Sequence, residues 1–432
     1  MSFRKSRLFW LLVIGDLTFF AFSLWLTVGL RYRAWPSYFD YQLLFEPFAL
    51  IFILWIFVFF ISDLYRRPSL MSEQKLPRLI WQAQIINIGL AITFFYFIPY
   101  FGVAPKSILF INLLISSALI YVWRFHFVDF FLKRRPAKVF FIGHSAEMEE
   151  IKRELARAPR YHLALGADGW RQLPIAGNGG VILVIDTYNH QTPEDLKRVY
   201  QLMFAGAQII PLHLFYEEVF NRVPIQSINE RWFIEYVENR FSRSSYALKR
   251  LMDVIICLLL LLPTLLFYPI IYLLIKLTDN GPLFYQEKRV GKGGKEFLIT
   301  KFRSMTTEPD LTKRRVTRVG KILRQTRLDE LPQLFSVIKG KQSLVGPRPE
   351  RPEYVKIYRE QIAYYDARHL ITPGLSGWAQ LYQVNHPHFK PGVASTGEKL
   401  SYDLYYIKHR SLALDLIIAL KTIKTLLART GI

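Results

Sequence analysis

Asp329 and Glu330 stand side by side in Leu328-Asp329-Glu330-Leu331-Pro332-Gln333-Leu334, and Gly346-Pro347-Arg348-Pro349-Glu350 follows closely. Two neighbouring carboxylates in a segment crowded with arginines suit phosphate chemistry. An ionised aspartate can attack phosphorus and form an acyl phosphate. A neighbouring glutamate can hold Mg2+, a hard cation that takes carboxylate and phosphate oxygens. Pro332 suits the opening of a helix through Phe335 and Ile338, with Gly340 as its stop. The acid pair is therefore expected at that helix's N-terminus, where the dipole keeps carboxylates ionised and attracts phosphate. Acids there are also ordinary helix caps.

The cations need an element of their own. Leu283 to Arg289 and Glu296 to Phe302 are expected to form a hairpin around Gly291-Lys292-Gly293-Gly294. Alternation then sends Lys301 and Arg303 to one face, where they could clamp a diphosphate, the arginine with a planar fork. The plainer alternative is a basic hairpin lying on anionic lipid.

Upstream, Val254 to Ile275 is an apolar run long enough to cross a bilayer. Pro263 and Pro269 interrupt it, and proline disfavours straight helix. Basic residues flank both ends: Arg243, Lys249 and Arg250 before, Lys276, Lys288 and Arg289 after. A crossing would place the second basic block outside, against the charge rule. A helix over 251–277 that enters, bends near Pro263 and returns on the same side satisfies both facts. A kinked fifth span is the alternative.

Four apolar segments fill the first third, from Leu8 to Leu30, Leu43 to Leu64, Leu79 to Tyr100 and Ser107 to Trp123. Arg66, Arg67, Lys75 and Arg78 lie between the second and third, and Lys133, Arg134 and Arg135 follow the fourth. The excess puts both ends of the bundle in the cytoplasm. Trp10, Trp35, Tyr38 and Tyr100 sit near span ends, as interfacial rings do. Asp16, Asn87 and Asn112 interrupt the apolar spans; Asp16, near a basic N-terminus, reads as a local pair or a helix contact rather than an ion path. The scarcity of such residues and the absence of repeats argue against a transporter.

Between bundle and apolar run, strands at Lys138–Ile142, Val181–Asp186 and Gln208–Leu212, with a loop at Gly177–Gly180, alternate with a helix at Ala146–Ala158 and one that opens with Thr192 as N-cap and Pro193 at its first position. This predicts a parallel, Rossmann-like α/β unit. The loop Gly143-His144-Ser145-Ala146-Glu147 has one glycine where a dinucleotide fingerprint needs three, so a structural, regulatory or dimerising role is expected.

Bulk composition agrees. The chain has 432 residues, 51% of them apolar and clustered, with a formal net charge of +22. Basic residues beside apolar segments point to anionic lipid and not to nucleic acid. The single cysteine, Cys257, excludes an intramolecular disulfide. No small-residue cleavage site follows the first apolar stretch, which reads as a retained membrane segment. Leu412 to Leu427 is amphipathic, with Lys421 and Lys424 on its polar side, and suits the interface. His386 and His388 flank Pro387 in what reads as a surface turn.

The expected architecture is a membrane protein in three parts: a four-helix transmembrane bundle over 1–135, an α/β domain over 136–243, and a mainly helical domain over 244–432 with a re-entrant helix and a small hairpin.

From about Tyr246 onward the chain resembles the bacterial sugar transferase family, the monotopic polyprenyl-phosphate sugar-1-phosphate transferases. The residues that carry the likeness are Lys249-Arg250 with Asp253, Gly281-Pro282, Gln286 with Arg289-Val290-Gly291, and Lys301-Phe302-Arg303-Ser304-Met305. Leu328 to Leu334, Val345 to Pro349, Pro373 to Gln380 and Tyr402-Asp403-Leu404-Tyr405-Tyr406-Ile407 complete it. The bundle and α/β domain resemble the family's long-form members. The resemblance implies that Asp329 attacks the sugar-bearing phosphate of a UDP-sugar, expels UMP and passes the phosphosugar to polyprenyl phosphate, in practice undecaprenyl phosphate. It implies Glu330, with Asp329, for Mg2+, and Lys301, Arg303, Arg348 and Arg289 for substrate phosphates. It also implies an inner-membrane protein with a cytoplasmic catalytic face, acting at the start of capsule, O-antigen or exopolysaccharide repeat units; a homodimer is compatible. The competing reading is a non-catalytic scaffold or regulator of polysaccharide assembly. Leu262 stands where the family often has serine before the bend proline, and Ser336 where asparagine is frequent.

Overall fold

The computed structural model describes residues 2–33, 38–62, 64–65, 76–97, 106–127, 137–157, 163–166, 169–173, 180–188, 192–237, 243–278, 281–308, 314–382 and 392–427. The basic loop residues Arg66, Arg67, Lys75, Lys133, Arg134 and Arg135 lie outside these, as do Trp35, Tyr100, the loop residues 177–179 and the His386–His388 turn. The chain divides into two compact units, Met1–Pro211 and Leu212–Ile432. It is mostly helical, and five of its helices are long and apolar enough to cross a membrane.

The first unit opens with α1 (Ser2–Tyr32), α2 (Tyr38–Ile61), α3 (Leu76–Phe97) and α4 (Lys106–Val122), which runs on into a π turn over Trp123–Phe127. α1 packs on α2 and α4, and α3 packs on the same two. Phe20, Phe48, Phe59 and Trp55 fill the middle, each at most 1% exposed. Polar side chains inside this apolar shell turn toward one another, as a medium without water favours. Ser23 Oγ donates to Asn112 Oδ1 at 2.6 Å, and Asn87 Nδ2 to Gln84 Oε1 at 2.8 Å. Asp16 is a paired residue, as expected, but its partner is Arg124 in the π turn.

The same unit holds a sheet of β1 (Ala137–Ile142), β2 (Leu163–Leu165), β3 (Val181–Ile185) and β4 (Gln208–Pro211) in the order β2-β1-β3-β4, every pair parallel. α5 (Ala146–Arg157) and α6 (Pro193–Phe204) are the crossovers. Thr192 caps α6 by accepting from Asp195 N at 3.2 Å, with Pro193 next, as the sequence predicts. The short β2 has no alternation long enough to read.

The second unit begins with α7 (Leu212–Phe220) and α8 (Glu230–Tyr236), then α9 (Arg243–Thr278). α9 is a single 36-residue helix with Pro263 and Pro269 inside it. Thr264 Oγ1 donates to Leu260 O at 2.7 Å, which supplies a hydroxyl beside the proline. Next come the hairpin β5 (Phe284–Val290) and β6 (Glu296–Phe302), then α10 (Arg318–Gln325), α11 (Leu334–Ile338), β7 (Ser343–Val345), α12 (Pro352–Gln361), β8 (Gly374–Ser376), α13 (Trp378–Tyr382), α14 (Val393–His409) and α15 (Leu412–Leu427).

Residues 212–237 pack on α14. Glu217 accepts from Lys408 Nζ at 2.7 Å and pairs with His409 Nε2 at 2.9 Å. Val223 N donates to Ser401 O at 3.0 Å, and Trp378 Nε1 to Asn221 O at 2.9 Å. Two apolar clusters fix α9 to the unit. Cys257 and Leu261 pack with Leu334 and Val337, while Ile271 and Ile275 pack with Phe302, Leu323 and Leu328. Between these contacts the helix offers Leu262 and Leu266 outward, 68% and 71% exposed.

Candidate active site

The acid pair sits in a six-residue 3-10 turn, Leu328–Gln333, and not at the start of an α-helix. Pro332 lies inside that turn, and α11 begins only at Leu334. The expected helix dipole is therefore not what acts on the pair; side-chain cations do so instead. Arg327, just before the turn, has φ 53, the left-handed conformation that reverses the chain after α10. Leu328 and Leu331 anchor the turn in the apolar cluster around Phe302 and Ile275.

Glu330 is the electrostatic centre. Arg348 Nη2 donates to its Oε1 at 2.5 Å, and Lys301 Nζ lies 3.4 Å from the same oxygen. Arg327 Nη1 is 3.8 Å from the other oxygen. Burial opposes ionisation here, yet Arg348, Lys301 and Arg327 hold the Glu330 carboxyl down at about 2. Asp329 is treated in the opposite way. Burial, with the Glu330 charge beside it, pushes its carboxyl up to about 6, against Lys301, Arg324 and Arg348. The sequence led us to expect both carboxylates held ionised alike; the structure separates them because the cations converge on Glu330 and Asp329 is only 7% exposed.

Lys301 reaches Glu330 from the end of β6, and burial pulls its ammonium below the usual lysine range. Arg303, just past the strand, donates through Nη1 to Thr307 Oγ1 at 3.0 Å. It lies under Gly281, where an added Cβ would stand 1.6 Å from that nitrogen. Arg289 is engaged otherwise: it bonds Glu287 at 2.6 Å and Pro349 O at 3.1 Å. The structure thus brings Lys301, Arg348 and Glu330 together beside Asp329, and holds Arg303 and Arg289 through other partners. Pro263 lies inside α9.

The loop that carries Arg348 is fixed by glycines. Gly346 N donates to Ser376 O at 2.9 Å, and Gly374 N to Pro347 O at 3.0 Å. A Cβ on Gly374 would meet Gly346 N at 2.1 Å, and one on Gly377 would meet Gly346 O at 2.5 Å. Two backbone segments therefore touch where side chains have no room. That explains physically why Val345–Pro349 and Pro373–Gln380 carry glycine at these points.

Residues not singled out from the sequence complete the setting. Arg368, 3% exposed, donates to Tyr365 OH at 2.8 Å, Asp403 Oδ2 at 2.8 Å and Arg348 O at 2.9 Å. Lys399 pairs with Glu350, and Arg324 Nε donates to Ser304 Oγ at 2.8 Å. An arginine next to a histidine, as in Arg368-His369, gave no motif to follow; only the fold brings it to the Arg348 backbone.

Among the described residues no group of three or more His, Cys, Asp or Glu side chains converges on a point. Asp329 and Glu330 offer an oxygen-only pair. That fits Mg2+, which binds through one or two carboxylates and completes its shell with water and substrate phosphate.

A family model described as bacterial sugar transferase matches residues 244–429. The chain is 44% identical over 166 residues to an Aeromonas hydrophila protein named UDP-N-acetylgalactosamine-undecaprenyl-phosphate N-acetylgalactosaminephosphotransferase, covering 37% of this chain and 38% of that one. It is 40% identical over 167 residues to the UDP-glucose:undecaprenyl-phosphate glucose-1-phosphate transferase of Xanthomonas campestris pv. campestris, covering 36% and 34%. The match thus spans little more than a third of either relative's length. With a Bacillus subtilis (strain 168) protein named uncharacterized sugar transferase EpsL, identity is 36% over 191 residues, 43% of this chain and 90% of that one.

Proposed function

The chain belongs to the bacterial sugar transferase family, and from that premise we propose that it transfers a hexose-1-phosphate from a UDP-sugar to polyprenyl phosphate, undecaprenyl phosphate being the acceptor, with release of UMP. The relatives' names supply the reaction class. The observation that carries the reading is the convergence of Arg348, Lys301 and Arg327 on Glu330, with the buried Asp329 carboxyl beside it forming no ion pair among the described residues. It sets the two carboxyls apart, Glu330 lowered and Asp329 raised.

That division gives each a task. Asp329 is mostly ionised at neutral pH yet basic for an aspartate, so it is the better nucleophile of the two. One of its oxygens bonds to the phosphorus that bears the sugar, the bond from phosphorus to the UMP oxygen breaks, and UMP departs with that electron pair. An oxygen of the lipid phosphate then attacks the same phosphorus, and the Asp329 carboxylate is released. Lys301 and Arg348 hold phosphate oxygens and counter the charge that accumulates there. Asp329 and Glu330 would hold Mg2+, whose contribution is to neutralise phosphate charge. Arg303 and Arg289, engaged with Thr307 and with Glu287 and Pro349, take no part in this step.

The position of α9 supports work at a bilayer surface. Its early residues Cys257 and Leu261 and its late residues Ile271 and Ile275 pack on the same unit. Those contacts span 18 residues, about 27 Å of straight helix. A helix that passed from one face of the membrane to the other would carry one of these contacts away from a unit held on the other face. The contacts support a helix that returns near Pro263, and our reading sets it on the cytoplasmic face of the inner membrane. It leaves the acid turn, which packs on Ile271 and Ile275 through Leu328 and Leu331, beside the headgroup region.

The test is Asp329→Asn in the full chain in membranes. We expect UMP release from UDP-sugars and the covalent phosphosugar adduct both to vanish while membrane insertion is unchanged. Full activity in that variant would end the proposal.

A further inference from the structure

A cleft of about 20 Å3 opens beside the first turns of α9, lined by Tyr246, Lys249, Arg250, Asp253, Gln342 and Arg410 among others. It has room for one hydroxyl-sized group. Two buried acceptors face it without a donor: Asp253 Oδ1 and Gln342 Oε1, on residues 2% and 1% exposed. The remainder of each side chain is committed. Asp253 Oδ2 accepts from Ser343 Oγ at 2.6 Å, and Gln342 Nε2 donates to Gln333 Oε1 at 3.2 Å. Lys249 Nζ stands 3.8 Å from Asp253 Oδ1 and bonds Asp415 instead, at 2.7 Å. Buried acceptors left bare are costly, so the cleft is built for a donor.

Its rim is cationic. Lys292 Nζ and Arg410 Cζ lie 5.1 and 5.9 Å from the centroid of the Tyr246 ring. Arg250 sits alongside, donating to Val337 O and Ile338 O. The apolar face of α9 starts at the same level, with Leu248 and Leu251 52% and 56% exposed.

We propose that this cleft binds the headgroup of an anionic phospholipid that carries hydroxyls, a phosphoglycerol. One hydroxyl donates its hydrogen to Asp253 Oδ1, with Gln342 Oε1 beside it; the phosphate rests on Lys292 and Arg410; the acyl chains lie along Leu248 and Leu251. An ammonium headgroup fits worse, because Lys249, Arg250 and Arg410 would repel it. The bond from Gln342 to Gln333 joins the cleft to the turn that carries Asp329 and Glu330, so the bound lipid braces that turn from behind.

Native mass spectrometry of the full chain in detergent tests this, with no reliance on UMP release. The probes are phosphatidylglycerol, phosphatidylmethanol, which has the same charge and no headgroup hydroxyl, and glycerol 1-phosphate. Phosphatidylglycerol should bind about five-fold tighter than phosphatidylmethanol, the value of one hydrogen bond. Asp253→Asn should erase that preference. Lys292→Ala, on the exposed hairpin turn, should weaken both lipids alike and keeps the test decisive should the first variant not fold. Equal affinity for the two lipids in the native chain overturns the proposal. So does competition by glycerol 1-phosphate as effective as that by the lipid, which would make the ligand a soluble phosphate.

Discussion

Arg368 Nη2 donates at 2.9 Å to the carbonyl oxygen of Arg348, so a buried guanidinium holds the backbone of the residue that grips Glu330. The same nitrogen bonds Asp403 at 2.8 Å. Asp403→Ala should therefore strip a buried guanidinium of its nearest carboxylate, leaving Glu350 at 3.9 Å, and lower stability by about 3 kcal/mol, read from thermal unfolding in detergent. Asp403→Asn, which keeps an acceptor, should recover part of that loss.

Arg348→Lys keeps the charge and loses the planar fork. With one charge-assisted bond to Glu330 weakened, by about 2 kcal/mol, kcat/KM for UMP release should fall about thirty-fold. The bond is made in the resting fold, so thermal unfolding should show a loss of up to about 2 kcal/mol as well.

The pH profile should report Asp329. The attacking form is the carboxylate, and its carboxyl is raised to about 6. Log kcat/KM should therefore climb with unit slope below about pH 6 and level off above it. Stability runs the other way over that range. Between the ordinary aspartate value and about 6 the folded chain holds a proton that the unfolded chain has lost, so raising pH there destabilises. Glu330, held at about 2, contributes stability that is present above the ordinary glutamate value and lost as pH falls toward 2. A flat rate profile from pH 5 to 7 would contradict the assignment of Asp329.

Gly374→Ala places a methyl group 2.1 Å from Gly346 N. The two backbones must part, and the Arg348 loop must move with them. Overpacking of this kind costs about 2 kcal/mol. UMP release should fall further than that loss of stability alone explains. An unchanged rate would show that the loop's position does not matter to Glu330.

Removal of divalent cations with a chelator should abolish UMP release, and Mg2+ added back should restore it. Thermal stability should barely move, because the pair has few ligands of its own and completes the site with substrate. Activity that survives exhaustive chelation would exclude a metal role for Asp329 and Glu330.

Much of this was legible beforehand. The hairpin was readable because period-two strands flank a Gly-Gly turn, and β5 and β6 fall within a residue of expectation. Thr192-Pro193 announced α6, and the apolar segments announced the long helices. The acid turn was misread because a proline at an apparent helix start looks the same whether the next residues form 3-10 or α hydrogen bonds. The choice is made by Leu328 and Leu331 packing on Ile275 and Phe302, a contact that no local pattern records. Arg368 was missed for a similar reason: its partners Arg348 and Asp403 lie 20 and 35 residues away. The attachment of residues 212–237 to α14 was equally silent, since Glu217 reads as one more charge on an amphipathic helix until Lys408 and His409 meet it.

Asp16 and Arg124 are 108 positions apart, and both are buried. During synthesis the first helix emerges with its acid long before the answering base exists. The nascent segment must then be sheltered by the insertion machinery until the fourth helix arrives. Replacing Arg124 with alanine would accordingly be a biogenesis defect, with quality-control proteolysis outpacing assembly, even though the acid turn lies in the other unit.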